Sequence, residues 1–184
     1  MDLLNVLKLR RSVRHYSLKK VSFADVAEIC EAGMHGPMAG NIFTVKFIIV
    51  SEKEKIKLLA EAAQQPFLTE VPYVIVVYSK LDQIESSYGE KGKVYSRQQA
   101  GAAIENMLLR TTDLGLGSCW IGWFDEAIVK RVLHIPEKFQ VEALLPIGKP
   151  LEKPFPKKKP DLKLVTSFEV YNQDMKKPKK QIFD

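Results

Sequence analysis

The chain has 184 residues, of which 46% are hydrophobic and 27% charged, a composition typical of an ordinary globular domain with a sizeable core. Its apolar runs are far shorter than the ~20 residues that a membrane-spanning helix needs, and its N-terminus lacks the basic segment and cleavage site of a signal peptide. We therefore expect one cytoplasmic domain over residues 1–184 that does not associate with membranes.

The distribution of charged and ligand-forming residues argues against nucleic acid and metal as partners. The net charge is +6, and from Lys149 onward there are ten Lys and five acidic residues, so residues 1–148 carry only +1. This basic end lacks the interleaved aromatic residues of a base-stacking surface. Cys30 and Cys119 are far apart and the three His share no ligand spacing, so neither a disulfide framework nor a metal site is predicted.

Hydrophobic periodicity predicts three helices and two strands in the first 80 residues. In chain order they are a helix over 2–9, a helix from Ser22 to Gly36–Pro37, a buried strand over 45–50, a helix from Ser51 to Pro66 and a strand over 71–78. Asp2, Ser22 and Ser51 are expected to cap the three helices. A loop is expected over 15–17. The second helix is expected to bury Phe23, Val26, Ala27, Cys30 and Met34.

The second half of the chain is predicted to contain one long helix. Residues 80–94 are expected to form an exposed, mobile connection, followed by a helix from Ser96 to Leu114 that ends in positive φ at Gly115 and Gly117. The residues expected on its buried face are Ala100, Ala103, Ile104, Met107, Leu108 and Thr111. A strand over 118–123, a helix capped by Asp125 and a strand over 140–146 are expected to follow.

This alternation around one long helix predicts an α+β sandwich, with a central mixed or antiparallel sheet of four to five strands flanked by helices. Prolines among lysines exclude a regular helix over 151–161, and the apolar positions over 162–172 need a partner surface. We therefore expect residues 151–184 to form a C-terminal extension that contacts another subunit.

Arg10, Arg11, Ser12 and Arg14 lie within five residues and predict an anion site, because Arg presents a rigid fork of donors that matches phosphate and carboxylate. A basic run at a helix end is also typical of a solvated face. Three further motifs follow in order. They are Pro37-Met38-Ala39-Gly40-Asn41, Gly115-Leu116-Gly117-Ser118-Cys119-Trp120-Ile121-Gly122-Trp123 and Pro146-Ile147-Gly148-Lys149-Pro150. Together the four motifs resemble the FMN-dependent nitroreductase family.

The resemblance implies a set of residues around FMN. Its phosphate, ribityl chain and pyrimidine edge would be bound by Arg10, Arg11, Ser12 and Arg14. The flavin would lie on a loop from the partner subunit that carries Pro37, Met38, Ala39 and Asn41. Its edge would meet Gln64 or Gln65, between which the sequence does not choose. The ring would pass along Ile121, Gly122 and Trp123, with a backbone N–H of Gly122 or Trp123 near its hydride-accepting nitrogen. Lys149, Lys157 and Lys159 match late phosphate-binding positions, although solvation explains Lys157 and Lys159 equally well.

The implied activity is an FMN-dependent oxidoreductase that works as a homodimer with FMN at the interface and no catalytic side chain. It would take hydride from NADH or NADPH and pass electrons to nitroaromatics, quinones or similar small acceptors in a ping-pong cycle. No Gly-x-Gly-x-x-Gly opens a helix after a strand, so a separate Rossmann pocket is not predicted. Two alternatives remain, namely flavin fragmentation or reductive dehalogenation on the same fold, and a non-enzymatic basic binding module. Ser12 disfavours fragmentation, because fragmenting relatives tend to carry an acidic residue there.

Overall fold

Three antiparallel strands form the centre of the fold. The computed structural model describes residues 1–152 and 158–173. Its strands are β1 (Tyr16–Ser17), β2 (Val45–Val50), β3 (Tyr73–Ser79), β4 (Gln140–Ile147) and β5 (Lys149–Pro150). The central sheet has the order β2-β3-β4, and β1 pairs with β5 in a separate antiparallel ribbon. The α+β prediction is confirmed. The expectation of four to five strands in one sheet is wrong, because two of the five strands form the ribbon.

Helices cover both faces of the central sheet. They are α1 (Leu3–Leu9), α2 (Phe23–Met34), α3 (Lys53–Ala63), α4 (Asp82–Tyr88), α5 (Glu90–Asp113) and α6 (Glu126–Leu133), with short 3₁₀ turns at Ala39–Asn41, Pro66–Glu70 and Leu162–Leu164. Along β3, Val74 and Val76 point into a core shared with α3 and α6, whereas Ile75 and Val77 point into a core shared with α2 and α5. This alternation follows from the two-residue period of a strand. No helix among the described residues is both long and apolar enough to cross a membrane.

Helix α5 begins earlier than predicted, and the expected mobile connection before it is helical. Asp82–Tyr88 form α4 and residues 90–94 the start of α5, so the expectation of a non-helical connection is wrong, whereas the expected exposure is confirmed for most of residues 80–94. A Cβ added to Gly92 would lie 2.5 Å from the carbonyl oxygen of Ile84, so the glycine lets the two helices pack closely. The side chain of Ile84 is fully buried. Ile84 is the sole buried residue of α4. The sequence of α4 therefore has no apolar periodicity from which a helix could be predicted. The predicted buried face of α5 is confirmed at all six positions.

Some predicted caps and buried positions differ from the structure. Ser22 caps α2 as predicted, accepting a hydrogen bond from the Asp25 N–H over 3.0 Å. Helix α3, in contrast, begins after Glu52, so Ser51 is not its cap. Asp2 occupies the N-cap position of α1 without a capping hydrogen bond from its side chain.

The buried face of α2 is also different from the predicted one. It consists of Val26, Ile29 and Gly33, whereas Phe23, Ala27 and Met34 are exposed and Cys30 is half-buried. A Cβ on Gly33 would lie 2.9 Å from both Met107 and Phe47. Close packing at this glycine therefore sets which face of α2 turns inward.

The stretch over 118–123 is not a strand, although isolated bridges hold it in place. Ser118 bridges to Ser12, and Ile121 exchanges both backbone hydrogen bonds with Leu144 at the edge of β4. Gly115 has the predicted positive φ of 67°, but Gly117 does not adopt one. A Cβ on Gly117 would lie 2.9 Å from Cγ1 of Val13, so this glycine is needed for close approach. Of the loop expected over 15–17, Tyr16 and Ser17 form strand β1, and His15 lies outside it.

Candidate functional site

Three segments that are distant in sequence meet at the ribbon. The Val13 N–H donates to the Ser118 carbonyl over 2.9 Å, and Gly117 and Gly148 exchange hydrogen bonds of 2.8 and 3.2 Å. Strand β1 follows the arginine run and pairs with β5, which contains Lys149. The arginine run therefore lies beside both the segment that begins at Gly117 and the strand that contains Lys149.

The first two arginines of the run have different surroundings. The Nε of Arg10 lies 2.8 Å from Oε1 of Glu105 on α5, so the two side chains form an ion pair. The contact does not meet the geometry of a hydrogen bond. Arg11 turns back over the end of α1 and donates to the carbonyls of Lys8, over 3.0 Å, and Arg10. These carbonyls belong to the C-terminal end of the helix, where cations stabilise the helix dipole. Arg11 thus caps α1 in this structure, whereas Arg10 is oriented by α5.

Arg14 lies near Tyr16 and Cys119. Burial raises the pKa of the Cys119 thiol, while Arg14 and the nearby Ser12 hydroxyl lower it. Burial also raises the pKa of Tyr16, with Cys119 and Glu70 adding to the shift and Arg14 opposing it. The Tyr16 hydroxyl donates to the Val13 carbonyl over 2.7 Å. Both groups remain uncharged at neutral pH, so the charges beside them are the exposed Arg14 guanidinium and the Glu70 carboxylate, which accepts the Tyr16 backbone N–H over 3.0 Å.

The Ile121–Trp123 stretch, which follows Cys119 in the chain, presents free main-chain donors. Ile121 is buried and its N–H is bonded to Leu144, but Gly122 and Trp123 are exposed. Neither of their amide N–H groups has a hydrogen-bond partner within the described residues. The Trp123 side chain is 81% exposed. Two adjacent free amides and an exposed indole form a surface suited to a planar ligand with a polar edge.

Gln64 and Gln65 follow α3, close to this surface. The Asp125 N–H donates to the Ala62 carbonyl over 2.9 Å, which brings the end of α3 against the residues that follow Trp123. Gln64 ends the helix in a left-handed conformation with φ of 53° and is exposed, whereas Gln65 is half-buried. Both amides therefore remain candidates for the same ligand edge.

The Pro37–Asn41 loop packs against a different part of α5. Gln99 donates to the Pro37 carbonyl, and its position on α5 is six residues before Glu105, the partner of Arg10. Six helical residues correspond to about 9 Å along the axis. Met38 and Asn41 are exposed, and Ala39 is half-buried. The described residues thus leave this loop free to contact a ligand or a second subunit.

The late lysines are only partly described. Lys149 lies in β5, half-buried, opposite Ser17 of β1. Lys159 is exposed, and Lys157 lies outside the described residues. Lys149 is therefore the late cation that the structure brings close to the arginine run.

These features fit an anionic ligand with a planar, polar-edged ring, as expected for FMN. Arg10 is ion-paired with Glu105 through its Nε, which leaves the terminal nitrogens of its guanidinium for a ligand. Arg14 and Lys149 have no ion-pair partner within residues 1–152 and 158–173. Cations without carboxylate partners favour phosphate, and free main-chain amides favour a ring oxygen or nitrogen. In the part of the chain that the structure describes, no group of three or more His, Cys, Asp or Glu could hold a metal ion.

The sequence interpretation missed the polar residues that support these segments. Glu105 pairs with Arg10, and Gln99, Thr44 and Ser96 form a buried hydrogen-bonded chain beneath the Pro37–Asn41 loop. A signal was present, because Ser96 and Gln99 lie on the same helical stripe as Ala100, Ala103 and Met107. Polar residues on an apolar stripe need buried partners.

Comparisons with known proteins agree with this geometry. A family model described as the nitroreductase family matches residues 7–65 and 57–149. An Archaeoglobus fulgidus protein named as a candidate NADH dehydrogenase/NAD(P)H nitroreductase is 33% identical over 154 residues, which cover 81% of this chain and 86% of that protein. An iodotyrosine deiodinase of Thermotoga neapolitana is 25% identical over 181 residues, with coverage of 84% and 91%. The solved structure of an FMN-dependent nitroreductase from Clostridium difficile superposes with a TM-score of 0.78 at 26% identity, covering 91% of this chain and 99% of that one. The chain belongs to the nitroreductase family.

Proposed function

We propose that the protein is an FMN-dependent oxidoreductase that takes hydride from NADH or NADPH and passes electrons to a nitroaromatic, quinone or similar acceptor. The observation that carries the proposal is the backbone pairing of residues 12–17 with the segment that leads into the free amides of Gly122 and Trp123 and with the strand that contains Lys149. The choice of cofactors is supported by a relative whose name includes NAD(P)H and by a structural neighbour whose name includes FMN. When bound, FMN supplies the two-electron chemistry.

The cations would hold the phosphate end of the cofactor. Glu105 engages Arg10 through its Nε, so the terminal nitrogens of the same guanidinium remain for a phosphate. Arg14 precedes β1, and Lys149 lies in β5, the strand paired with β1. Both would add positive charge, and Ser12 would offer a hydroxyl. We leave Arg11 out of the phosphate set, because its guanidinium is occupied with carbonyls of α1.

The main chain of Gly122 and Trp123 would serve the ring. Amide dipoles fixed in advance stabilise negative charge without reorganising, so they can support reduction without a catalytic side chain. Trp123 and the half-buried Gln65 would complete the wall and edge around it. Nicotinamide and electron acceptor would use the same exposed face in turn, in a ping-pong order.

A homodimer would complete the cofactor site. The α1 side chains Leu3, Leu4 and Leu7 are exposed, as are the described apolar residues Leu162, Leu164, Val165, Phe168, Val170 and Tyr171 near the C-terminus. Exposed apolar residues on this scale are typical of subunit interfaces. The exposed Pro37–Asn41 loop would contribute Pro37, Met38, Ala39 and Asn41 to the partner's flavin.

Reductive dehalogenation is the second candidate activity. The similarity to an iodotyrosine deiodinase favours it, and the same flavin cradle would serve both reactions. Nitroreduction and dehalogenation differ in the electron acceptor. The test that distinguishes them is to add each acceptor to portions of one sample of reduced protein and compare the reoxidation of the flavin.

The deciding experiment is a spectroscopic titration of the purified protein. FMN binding should give a yellow protein that elutes as a dimer in size-exclusion chromatography. Anaerobic NADH or NADPH should bleach the flavin, and a nitroaromatic or quinone should restore its absorption. Recovery with a halogenated phenol but not with a nitroaromatic would favour dehalogenation. A protein that is colourless after incubation with FMN and removal of the free cofactor would contradict both activities and favour a basic binding module.

A further inference from the structure

A chain of buried polar side chains links helix α5 to the base of the exposed Pro37–Asn41 loop. The Ser96 hydroxyl donates to Oγ1 of Thr44 over 2.8 Å, and the Thr44 hydroxyl donates to Oε1 of Gln99 over 2.7 Å. The Thr44 backbone N–H donates to the same oxygen over 2.7 Å. Gln99 is 3% exposed, and the other two are buried still more completely. Buried polar groups are costly unless they are paired, so this connected set is a specific structural feature.

The amide nitrogen of Gln99 faces the loop. Its Nε2 donates to the carbonyl of Ile42 over 3.2 Å and to the carbonyl of Pro37 over 3.5 Å. A backbone N–H can only donate and a carbonyl can only accept, so one orientation of the amide satisfies Thr44, Pro37 and Ile42 together. Gln99 therefore ties the two ends of the loop to each other and to α5.

The loop needs such support, because it lies outside the α-helices and strands and burial does little to hold it. Gly40 and Asn41 have φ values of 57° and 58°, so two consecutive residues are left-handed. Met38 and Asn41 are exposed. A second contact comes from α4, where the Tyr88 hydroxyl would lie 2.5 Å from a Cβ added to Gly40. The fixed shape is thus presented outward, away from the core.

We propose that Gln99 is the positioning residue that fixes the Pro37–Asn41 loop in the shape with which it contacts the flavin of the partner subunit. The inference rests on the proposed function, in which that loop lies beneath FMN. Three buried polar side chains are committed to a loop whose own residues are mostly exposed, and that arrangement serves a ligand outside the subunit. Gln99 acts through the main chain of the loop and does not itself contact the reacting atoms.

The test compares Gln99→Met, which keeps the length of the side chain but removes its donors and acceptor, with Gln98→Met on the exposed face of α5. We expect Gln99→Met to weaken FMN binding on the order of tenfold or more, as the loss of one or two hydrogen bonds implies. Its visible flavin spectrum at saturating FMN should also differ from that of the wild type. In the FMN-free protein, amide hydrogens of residues 38–42 should exchange faster. Gln98→Met should match the wild type in all three measurements.

The outcomes separate this inference from the proposed function. If the wild type binds FMN and Gln99→Met has the same affinity and saturated spectrum, the role of Gln99 is overturned and the proposed function stands. If the wild type does not bind FMN, both are overturned. If Gln99→Met is less stable than the wild type but has the same flavin spectrum at saturating FMN, Gln99 has only a structural role. That result also overturns the inference. Should Gln99→Met fail to fold, Thr44→Val and Thr44→Ser decide, because only serine keeps the hydroxyl that orients Gln99. Weaker binding in the valine variant alone supports the proposal, and equal binding overturns it.

Discussion

Replacing Gly148 with Ala should destabilise the protein, because the added methyl group would overlap buried side chains. A Cβ at this position would lie 2.7 Å from Cδ1 of Tyr16 and 3.0 Å from Cγ1 of Val71. Favourable carbon contacts lie at about 3.5–4.0 Å. Tyr16 is 6% and Val71 5% exposed, and the Tyr16 ring is held by its hydrogen bond to Val13. Overpacking a tight core costs about 1–3 kcal/mol, so we expect the free energy of unfolding to fall by that amount.

Gly101→Ala adds the same methyl group and serves as the matched control. Its nearest neighbour would be Trp120 at 3.9 Å, an ordinary contact, and the position lies inside α5. Alanine should stabilise the helix there by about 0.5–1 kcal/mol. Urea unfolding of the FMN-free proteins at equal concentration, followed by circular dichroism, measures both changes. A Gly148→Ala midpoint equal to that of the wild type, or equal losses in both variants, would refute the packing argument.

Three further predictions concern charge and capping. Arg14→Ala should weaken FMN binding on the order of 10- to 100-fold, since a hydrogen bond to a charged group contributes about 1.5–3 kcal/mol. A fluorescence titration measures the dissociation constant. Lys19→Ala, which removes an equal charge, should leave that constant unchanged. Asp125→Ala should lower the free energy of unfolding by about 0.5–2 kcal/mol in thermal unfolding, because it removes the acceptor for the Ile128 N–H at 3.1 Å; an unchanged value would contradict the cap. Burial raises the pKa of Glu142 in the folded state, so its stabilising contribution at low pH is lost as the pH rises through the folded pKa. Glu142→Gln should therefore be more stable than the wild type at about pH 8 and lose this advantage toward about pH 4, and a difference that does not vary with pH would exclude this cause.

Features encoded by local patterns were predictable from the sequence. The bounds of the strand Val45–Val50 and the caps at Ser22 and Asp125 match the structure, because each depends on residues within one or two turns. The buried face of α5 was also predictable, since its apolar residues from Ala100 to Thr111 repeat over about three turns. The cluster at Arg10 could be proposed as an anion site for the same reason: its residues are neighbours in the chain.

Features that depend on distant residues were not predictable in this way. The ribbon between β1 and β5 has too few residues to carry an apolar alternation, and its partners are far apart in sequence. The roles of Gln99 and Glu105 are equally hidden, because each is defined by a partner on another element. Arg11 illustrates the limit within the motif itself, since the sequence does not distinguish an arginine that caps its own helix from one that faces a ligand.

The ribbon also has a consequence for the order in which the protein forms. Ser17 and Lys149 lie 132 positions apart in the chain, so their pairing closes a very long loop. Such non-local contacts are slow to form, and during synthesis they must wait until the later strand has left the ribosome. Strand β1, next to the N-terminal arginines, is therefore made early but acquires its partner strand late. Nascent chains that end before Lys149 should accordingly fail to retain the cofactor.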